Sequence, residues 1–241
     1  MESSVPRVTI GYTYYEEPDL LEQQIQLWEK YPPEVEIVLV DDGSSIYPAK
    51  KILDKFKLPP NLKLYTVDED LGFNSHGCRN LIATVASSDT LLFLDIDCTL
   101  NVNDVAYIRT VSFNKESLYT FFMYEPNTNI FRFTGHVNVF IVNKEKYWEA
   151  GGYDESFTGW HYGDREFMER LLLITKKRTL GSVSCNLWRG KRDVIYTNDA
   201  TRTQHDNDNH SMLVPANKQK SYAEMKGTVK TKINFPYTQI L

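Results

Sequence analysis

Asp95 and Asp97 are the residues whose types and spacing point most directly to chemistry. In extended backbone, side chains at i and i+2 project to the same side. Two carboxylates so placed can grip a hard cation such as Mg²⁺ or Mn²⁺. An ion held there neutralises a diphosphate and stabilises it as a leaving group. The apolar run Thr90-Leu91-Leu92-Phe93-Leu94 precedes the pair and delivers it to the carboxyl end of a strand. A strand that simply ends in a solvated acidic turn has the same pattern, so the triplet by itself does not decide between the two. A second polar cluster, Asp41-Asp42-Gly43-Ser44-Ser45, follows the apolar run Val35 to Val40. A carboxylate there can accept an N–H of a base such as uracil, although Asp and Gly are also the default residues of a turn. A third, Thr13-Tyr14-Tyr15-Glu16-Glu17, follows Val8-Thr9-Ile10.

These clusters share a chemistry only if the elements bring them together. Val8 to Ile10, Val35 to Val40, Asn61 to Val67 and Thr90 to Leu94 read as strands. They alternate with helix-like stretches: from Pro18 with Leu20, Leu21, Ile25 and Trp28 at helical spacing, from Ala49 to Phe56, and from Gly77 to Ala86. Such alternation predicts an α/β fold with a Rossmann-like, mostly parallel central sheet flanked by helices. Ligands of such sheets bind outside the carboxyl ends of the strands, which is where all three clusters fall. The second half is more mixed. Strands are expected at Ser117 to Met123 and Val137 to Val142, a loop-rich stretch at Trp148 to Trp160, and an amphipathic helix at Asp164 to Thr175 whose Phe167, Leu171 and Ile174 form a core stripe. Asp164 opens that helix, where backbone N–H groups favour a carboxylate, so a helix cap accounts for it without further function.

The bulk properties frame this reading. The chain has 241 residues, 41% hydrophobic and 24% charged, enough for one sizeable α/β domain. A net charge of −5 gives no general case for nucleic-acid binding. Cys78, Cys98 and Cys185 are odd in number and lack CxxC spacing, which argues for reduced thiols rather than a disulfide framework or structural zinc. No apolar run reaches membrane-spanning length and no signal peptide is evident, so a cytoplasmic location is expected. A single domain is expected over residues 1–210, with a nucleotide-binding half to residue 100 and an acceptor and catalytic half after it. The lysine-rich segment 211–241 is expected to be a loosely attached extension with some helix.

The ordered set of motifs resembles the inverting family 2 glycosyltransferases of the GT-A fold. The matching text is Thr13-Tyr14-Tyr15, Asp41 to Ser45, Leu71-Gly72-Phe73-Asn74 with Gly77-Cys78-Arg79-Asn80, Asp95-Ile96-Asp97, Gly151-Gly152-Tyr153-Asp154-Glu155, and Gly159-Trp160 with Asp164. The similarity spans about residues 7 to 205. It implies a metal-dependent enzyme, using Mn²⁺ or Mg²⁺, that moves a sugar from a nucleotide-diphosphate donor, UDP-sugar by preference, to a glycan or other hydroxyl-bearing acceptor. Thr13, Tyr15 and Asp42 would hold the base and ribose. Arg79 would lie near the donor sugar or diphosphate, and Asp95 and Asp97 would hold the donor through ribose, sugar and metal. Many relatives carry a further Asp where this chain has Cys98. The segment from Gly159 to Glu166 also resembles that of the beta-1,4-galactosyltransferases, which aligns Asp164 with the catalytic base. The usual preceding Glu is replaced by Gly163.

The resemblance further implies that a C-terminal histidine returns to complete the metal site, His205 first and His210 as the fallback. Trp160 and Tyr162 can present flat faces to an acceptor sugar, whereas Trp188 reads as core. His76, His136 and His161 can line the cleft without an assigned role. Two other classes share parts of this pattern. A sugar-nucleotide nucleotidyltransferase has a similar sheet and acidic metal site, but the Tyr15-Glu16-Glu17-Pro18 turn would repel a triphosphate. A non-catalytic nucleotide-sugar or glycan-binding module would keep the cleft without turnover.

Overall fold

The computed structural model describes residues 7–71, 74–155, 157, 163–188 and 235–241. Among the described residues, ten strands form one sheet in the order β10-β3-β2-β1-β4-β8-β6-β9-β5, with β7 paired to β6. The first four in sequence are β1 (Val8–Tyr14), β2 (Val35–Asp41), β3 (Leu62–Val67) and β4 (Thr90–Asp95). They run parallel in the order β3-β2-β1-β4. Helices α1 (Pro18–Trp28), α2 (Ala49–Leu53) and α3 (Ser75–Val85) connect them. This is the expected α/β core, and the register brings the polar clusters side by side. Thr13 pairs with Asp95 and Tyr14 with Asp41 across adjoining strand ends.

The pattern of β2 explains its unbroken apolar run. Ile37 and Leu39 pack into one core with α1 residues Leu21, Ile25 and Trp28. Val38 and Val40 face a second core with α3 residues Cys78, Leu81 and Ile82. A strand covered on both faces has no solvent side to mark with polar residues. Pro18 lies in the first turn of α1, where its missing N–H costs nothing.

Beyond β4 the sheet becomes mixed. β5 (Cys98–Thr99), α4 (Val102–Ile108), β6 (Ser117–Glu125), β7 (Ile130–Arg132), β8 (Phe140–Asn143), α5 (Lys144–Glu149), α6 (Gly163–Ile174) and β9 (Lys176–Leu187) follow in order. β8 runs antiparallel between β4 and β6, while β9 runs parallel to β6 and antiparallel to β5. α6 turns Phe167 and Leu171 into the second core, against Tyr147 of α5 and Tyr153.

The end of the lysine-rich segment joins this body. β10 (Tyr237–Gln239) pairs antiparallel with β3, Phe235 is buried in the second core, and Asp68 N–H donates to Pro236 O at 2.9 Å. Within residues 235–241 the segment thus supplies the edge strand β10, and the rest of the expected extension, 211–234, lies outside the described residues. Cys78, Cys98 and Cys185 are free thiols, all buried. Among the described residues, no helix is long and apolar enough to cross a membrane.

Candidate active site

Asp95 and Asp164, brought together from β4 and the start of α6, share one cation of the chain itself. Arg79, in the middle of α3, donates from Nη2 to Asp95 Oδ1 at 2.6 Å and from Nη1 to Asp164 Oδ1 at 3.0 Å. The arginine is buried. Its guanidinium lies 5.2 Å from the centre of the Tyr153 ring, a cation–π distance. The second Asp95 oxygen accepts from Asn138 Nδ2 at 3.2 Å and lies 3.2 Å from His136 Nδ1. Burial alone would raise the Asp95 carboxyl, but Arg79 and His136 reverse this and hold it well below the ordinary range. Burial would likewise lower His136, and Asp95 instead raises it. Asp164, its side chain 15% exposed, would also be raised by burial; Arg79 and His76 hold it below its usual value.

The turn carrying Asp97 is clamped through its backbone. Gln24 of α1, fully buried, donates from Nε2 to Ile96 O at 2.8 Å and to Cys98 O at 2.7 Å. Trp188 N–H donates to Asp97 O at 2.7 Å, and its indole N–H to Thr99 Oγ1 at 3.0 Å. Trp188 thus has a structural role. Asp95, Asp97 and Cys98 each place one ligand atom within 4.8 Å of the others, so this group can hold a cation. The donor set suits a hard cation, two carboxylates two residues apart at the end of β4, with the Asp95 oxygens also meeting Arg79, His136 and Asn138 and the Cys98 thiol 3.5 Å from Asp97 Oδ1.

At the other side of β1 the Asp41-Asp42 pair divides its labour. Asp41 accepts from Ser44 N–H at 3.0 Å and Ala49 N–H at 2.7 Å, which makes it the organiser of the loop into α2. Asp42 accepts from Asn74 N–H at 2.5 Å through Oδ2. Among the described residues its buried Oδ1 has no hydrogen-bond partner, while the Cys78 thiol, a weak donor, interacts with the carboxyl group. Burial pushes the Asp42 carboxyl up to about 8. Thr13 near the end of β1 and Tyr15 just beyond it are partly exposed, and the Tyr15 hydroxyl donates to Asp70 at 3.1 Å. Glu16 does not line the cleft with free charge: its carboxylate accepts the Ile46 and Tyr47 N–H groups at 2.8 and 2.7 Å.

The Gly151-Gly152-Tyr153 segment is joined to α3 by Asn80. Asn80 Oδ1 accepts from the Tyr147 hydroxyl at 2.6 Å and Tyr153 N–H at 2.9 Å, while its Nδ2 donates to Tyr153 O at 2.9 Å and to Glu155 Oε1 at 2.8 Å. Gly152, at φ +67, has no room for a Cβ because Asn80 Oδ1 would stand 2.7 Å from it. Glu166, two residues from Asp164, is committed elsewhere: Arg170 grips both its oxygens at 2.6 Å.

The structure thus gathers Thr13, Tyr15, Asp42, Arg79, Asp95, Asp97 and Asp164 at one end of the sheet. Trp160, Tyr162, His205 and His210 lie outside the described residues. Gln24, His136, Asn138 and the tie of His76 to Asp164 carry no sequence signal, because nothing in their local surroundings marks a contact so distant along the chain.

A mostly parallel α/β sheet flanked by helices, with acidic residues at its strand ends, matches the GT-A fold. The family profile "Glycosyl transferase family 2" matches residues 9–162, and the chain belongs to that family. Comparison with curated sequences finds no match. Among solved structures, S. aureus TarS residues 1–349 superpose with a TM-score of 0.64 at 14% identity, covering 90% of this chain and 68% of that one. The longer S. aureus TarS structure gives 0.63 at 14% identity, covering 90% of this chain and 41% of that one. Mannosyltransferase PcManGT from Pyrobaculum calidifontis, in complex with GDP-Man and Mn²⁺, gives 0.61 at 15% identity, covering 93% and 68%. At these identities the likeness is one of fold.

Proposed function

We propose that this glycosyltransferase uses a UDP-sugar donor with Mn²⁺ or Mg²⁺ and transfers the sugar with inversion, Asp164 acting as base. The observation that carries the reading is the chain Asp95–Arg79–Asp164, which sets one carboxylate at the donor end of the cleft and another, 15% exposed, across a shared guanidinium. Asp42, whose buried Oδ1 has no hydrogen-bond partner among the described residues, suits an N–H of the base; Thr13 at the end of β1 and Tyr15 just beyond it are our further candidates for base and ribose contacts. A divalent ion bound at Asp97 would neutralise the departing diphosphate. His205 is our candidate for a further ligand, and Trp160 and Tyr162 for acceptor contacts.

Asp164 takes the proton of an acceptor hydroxyl as that oxygen bonds to the anomeric carbon. The bond to the diphosphate oxygen breaks with its electron pair, through a state of oxocarbenium character. Arg79 stays charged throughout and fixes both carboxylates relative to one another. The Glu166–Arg170 pairing supports Asp164 over its neighbour, since a base must be able to reach the proton it removes. A nucleotide-binding half before residue 100 and an acceptor half after it belong to this same proposal. The complex of PcManGT with GDP-Man and Mn²⁺ supports a metal-assisted donor site.

Calorimetry with UDP and GDP, with Mn²⁺ and with EDTA, tests the donor and metal assignments. UDP should bind more tightly than GDP, and Mn²⁺ should tighten it only while Asp97 is present. Equal affinity with and without the ion, or in Asp97→Ala, removes the metal role; preference for GDP removes the uridine assignment.

A further inference from the structure

His76 lies in the first turn of α3, three residues before Arg79, and is 1% exposed. Its Nε2 is 3.4 Å from Asp164 Oδ1, the same oxygen that accepts from Arg79 Nη1. Its ring packs against Tyr153 with centroids 5.3 Å apart, and Tyr153 also lies against the Arg79 guanidinium. Among the described residues, neither ring nitrogen has a hydrogen-bond partner. A buried imidazole left in that state costs stability, and hydrogen bonds at catalytic sites often tighten only when substrate is bound.

Gly163 completes the unit. A Cβ at that position would stand 2.5 Å from His76 Nε2, 2.8 Å from its Cε1 and 3.0 Å from Phe157 Cβ. The imidazole therefore fills the space that a side chain before Asp164 would need. The departure from the related pattern at Gly163 and the presence of a histidine at position 76 are one structural feature, in which α3 supplies the immediate neighbour of Asp164 that α6 lacks.

We propose that His76 is a positioning residue for Asp164, holding Oδ1 together with Arg79 so that the other oxygen, Oδ2, faces the acceptor hydroxyl. This rests on the reading of Asp164 as base. Once Nε2 closes from 3.4 Å to hydrogen-bond distance beside Arg79 Nη1, two donors from one helix on one oxygen restrain rotation of the carboxyl group. The acceptor proton passes to Oδ2, the acceptor oxygen bonds to the anomeric carbon, and the diphosphate leaves with the electron pair of the broken bond. His76 neither gains nor loses a proton in this step.

The test compares His76→Phe, which keeps a ring against Tyr153 but has no donor, with His76→Gln, whose amide can reach the place of Nε2. Transfer from a UDP-sugar, calorimetric affinity for UDP with Mn²⁺, thermal midpoint and the acid limb of the kcat profile are read for each, beside Asp164→Asn. His76→Phe should keep its midpoint and nucleotide affinity, lose about 10- to 100-fold in kcat, and move the acid limb upward. His76→Gln should retain most of kcat. Wild-type kcat and acid limb in His76→Phe, with Asp164→Asn inactive, would overturn the proposal and leave the base reading standing. Equal slowing in His76→Phe and His76→Gln would also overturn it, since shape rather than a donor would then matter. Full activity in Asp164→Asn would remove both readings. Should His76→Phe fail to fold, His76→Asn, too short to reach Oδ1, takes its place: the same loss of kcat supports the proposal, and wild-type kcat with an unmoved acid limb overturns it.

Discussion

The Arg79 guanidinium lies 3.0 Å from Asp164 Oδ1, tying α3 to the first turn of α6 across 85 residues of chain. Its other amino group holds Asp95, so one buried cation balances two carboxylates that would otherwise repel each other.

Removing that cation should therefore be costly. Arg79→Gln is expected to destabilise the fold by about 3–5 kcal/mol, the usual penalty for stranding a buried charge. Asp95 and Asp164 both titrate below their ordinary values in the folded protein. Their contribution is thus fully present above the unfolded value of about 4 and is lost as pH falls through the folded values. Denaturant midpoints should change little from these groups between pH 7 and about pH 5, then fall steeply below about pH 4 in wild type and less steeply in Arg79→Gln. Parallel curves would show that Arg79 does not set these titrations.

Asp42 has the opposite linkage. Its folded value, raised to about 8 by burial, lies above the unfolded value of about 4. Its contribution is complete below about pH 4 and declines as pH rises toward 8. Asp42→Asn, a neutral isostere, should flatten that decline and exceed wild type in denaturant midpoint at pH 8 while gaining little at pH 4. An Asn variant less stable than wild type at pH 8 would contradict this.

Asn80 uses its side-chain amide to make four hydrogen bonds that fix the Gly152-Tyr153 segment. Asn80→Ala should cost about 2–4 kcal/mol, since it strands the Tyr147 hydroxyl and the Tyr153 backbone groups. Chemical denaturation measures this directly. A cost below about 1 kcal/mol would mean that the segment is held by other contacts.

The parallel half of the fold is legible in the sequence because its strands are continuous apolar runs ending in polar residues, as Val35 to Val40 does before Asp41 and Asp42. β1 is longer than Val8 to Ile10 because Tyr12 and Tyr14 are buried hydrophobic residues despite their hydroxyls. β9 gives no such signal: Lys176 to Leu180 is largely exposed and rich in charge, and Gly181 interrupts any alternation. α4 and α5 are short, announced only by the caps Asn101 and Asn143. At the site the carboxylates are readable from their strand-end positions, and Asp164 from a resemblance. Their partners are not. His136 and Asn138 meet Asp95 only because β8 lies beside β4, and Gln24 meets the turn at Ile96 and Cys98 only because α1 packs on that face.

Asp164→Asn, compared with Glu166→Gln, tests the account most directly. Asn keeps an acceptor oxygen for Arg79 and a helix-start side chain but cannot take a proton. The measurement is single-turnover transfer from a UDP-sugar with Mn²⁺, alongside calorimetric binding of UDP. Asp164→Asn should fold, bind nucleotide as wild type does, and transfer about 10²- to 10⁴-fold more slowly. Glu166→Gln should lose stability through its pairing with Arg170 yet transfer at a near-normal rate when folded. Near-wild-type transfer by Asp164→Asn would contradict the account.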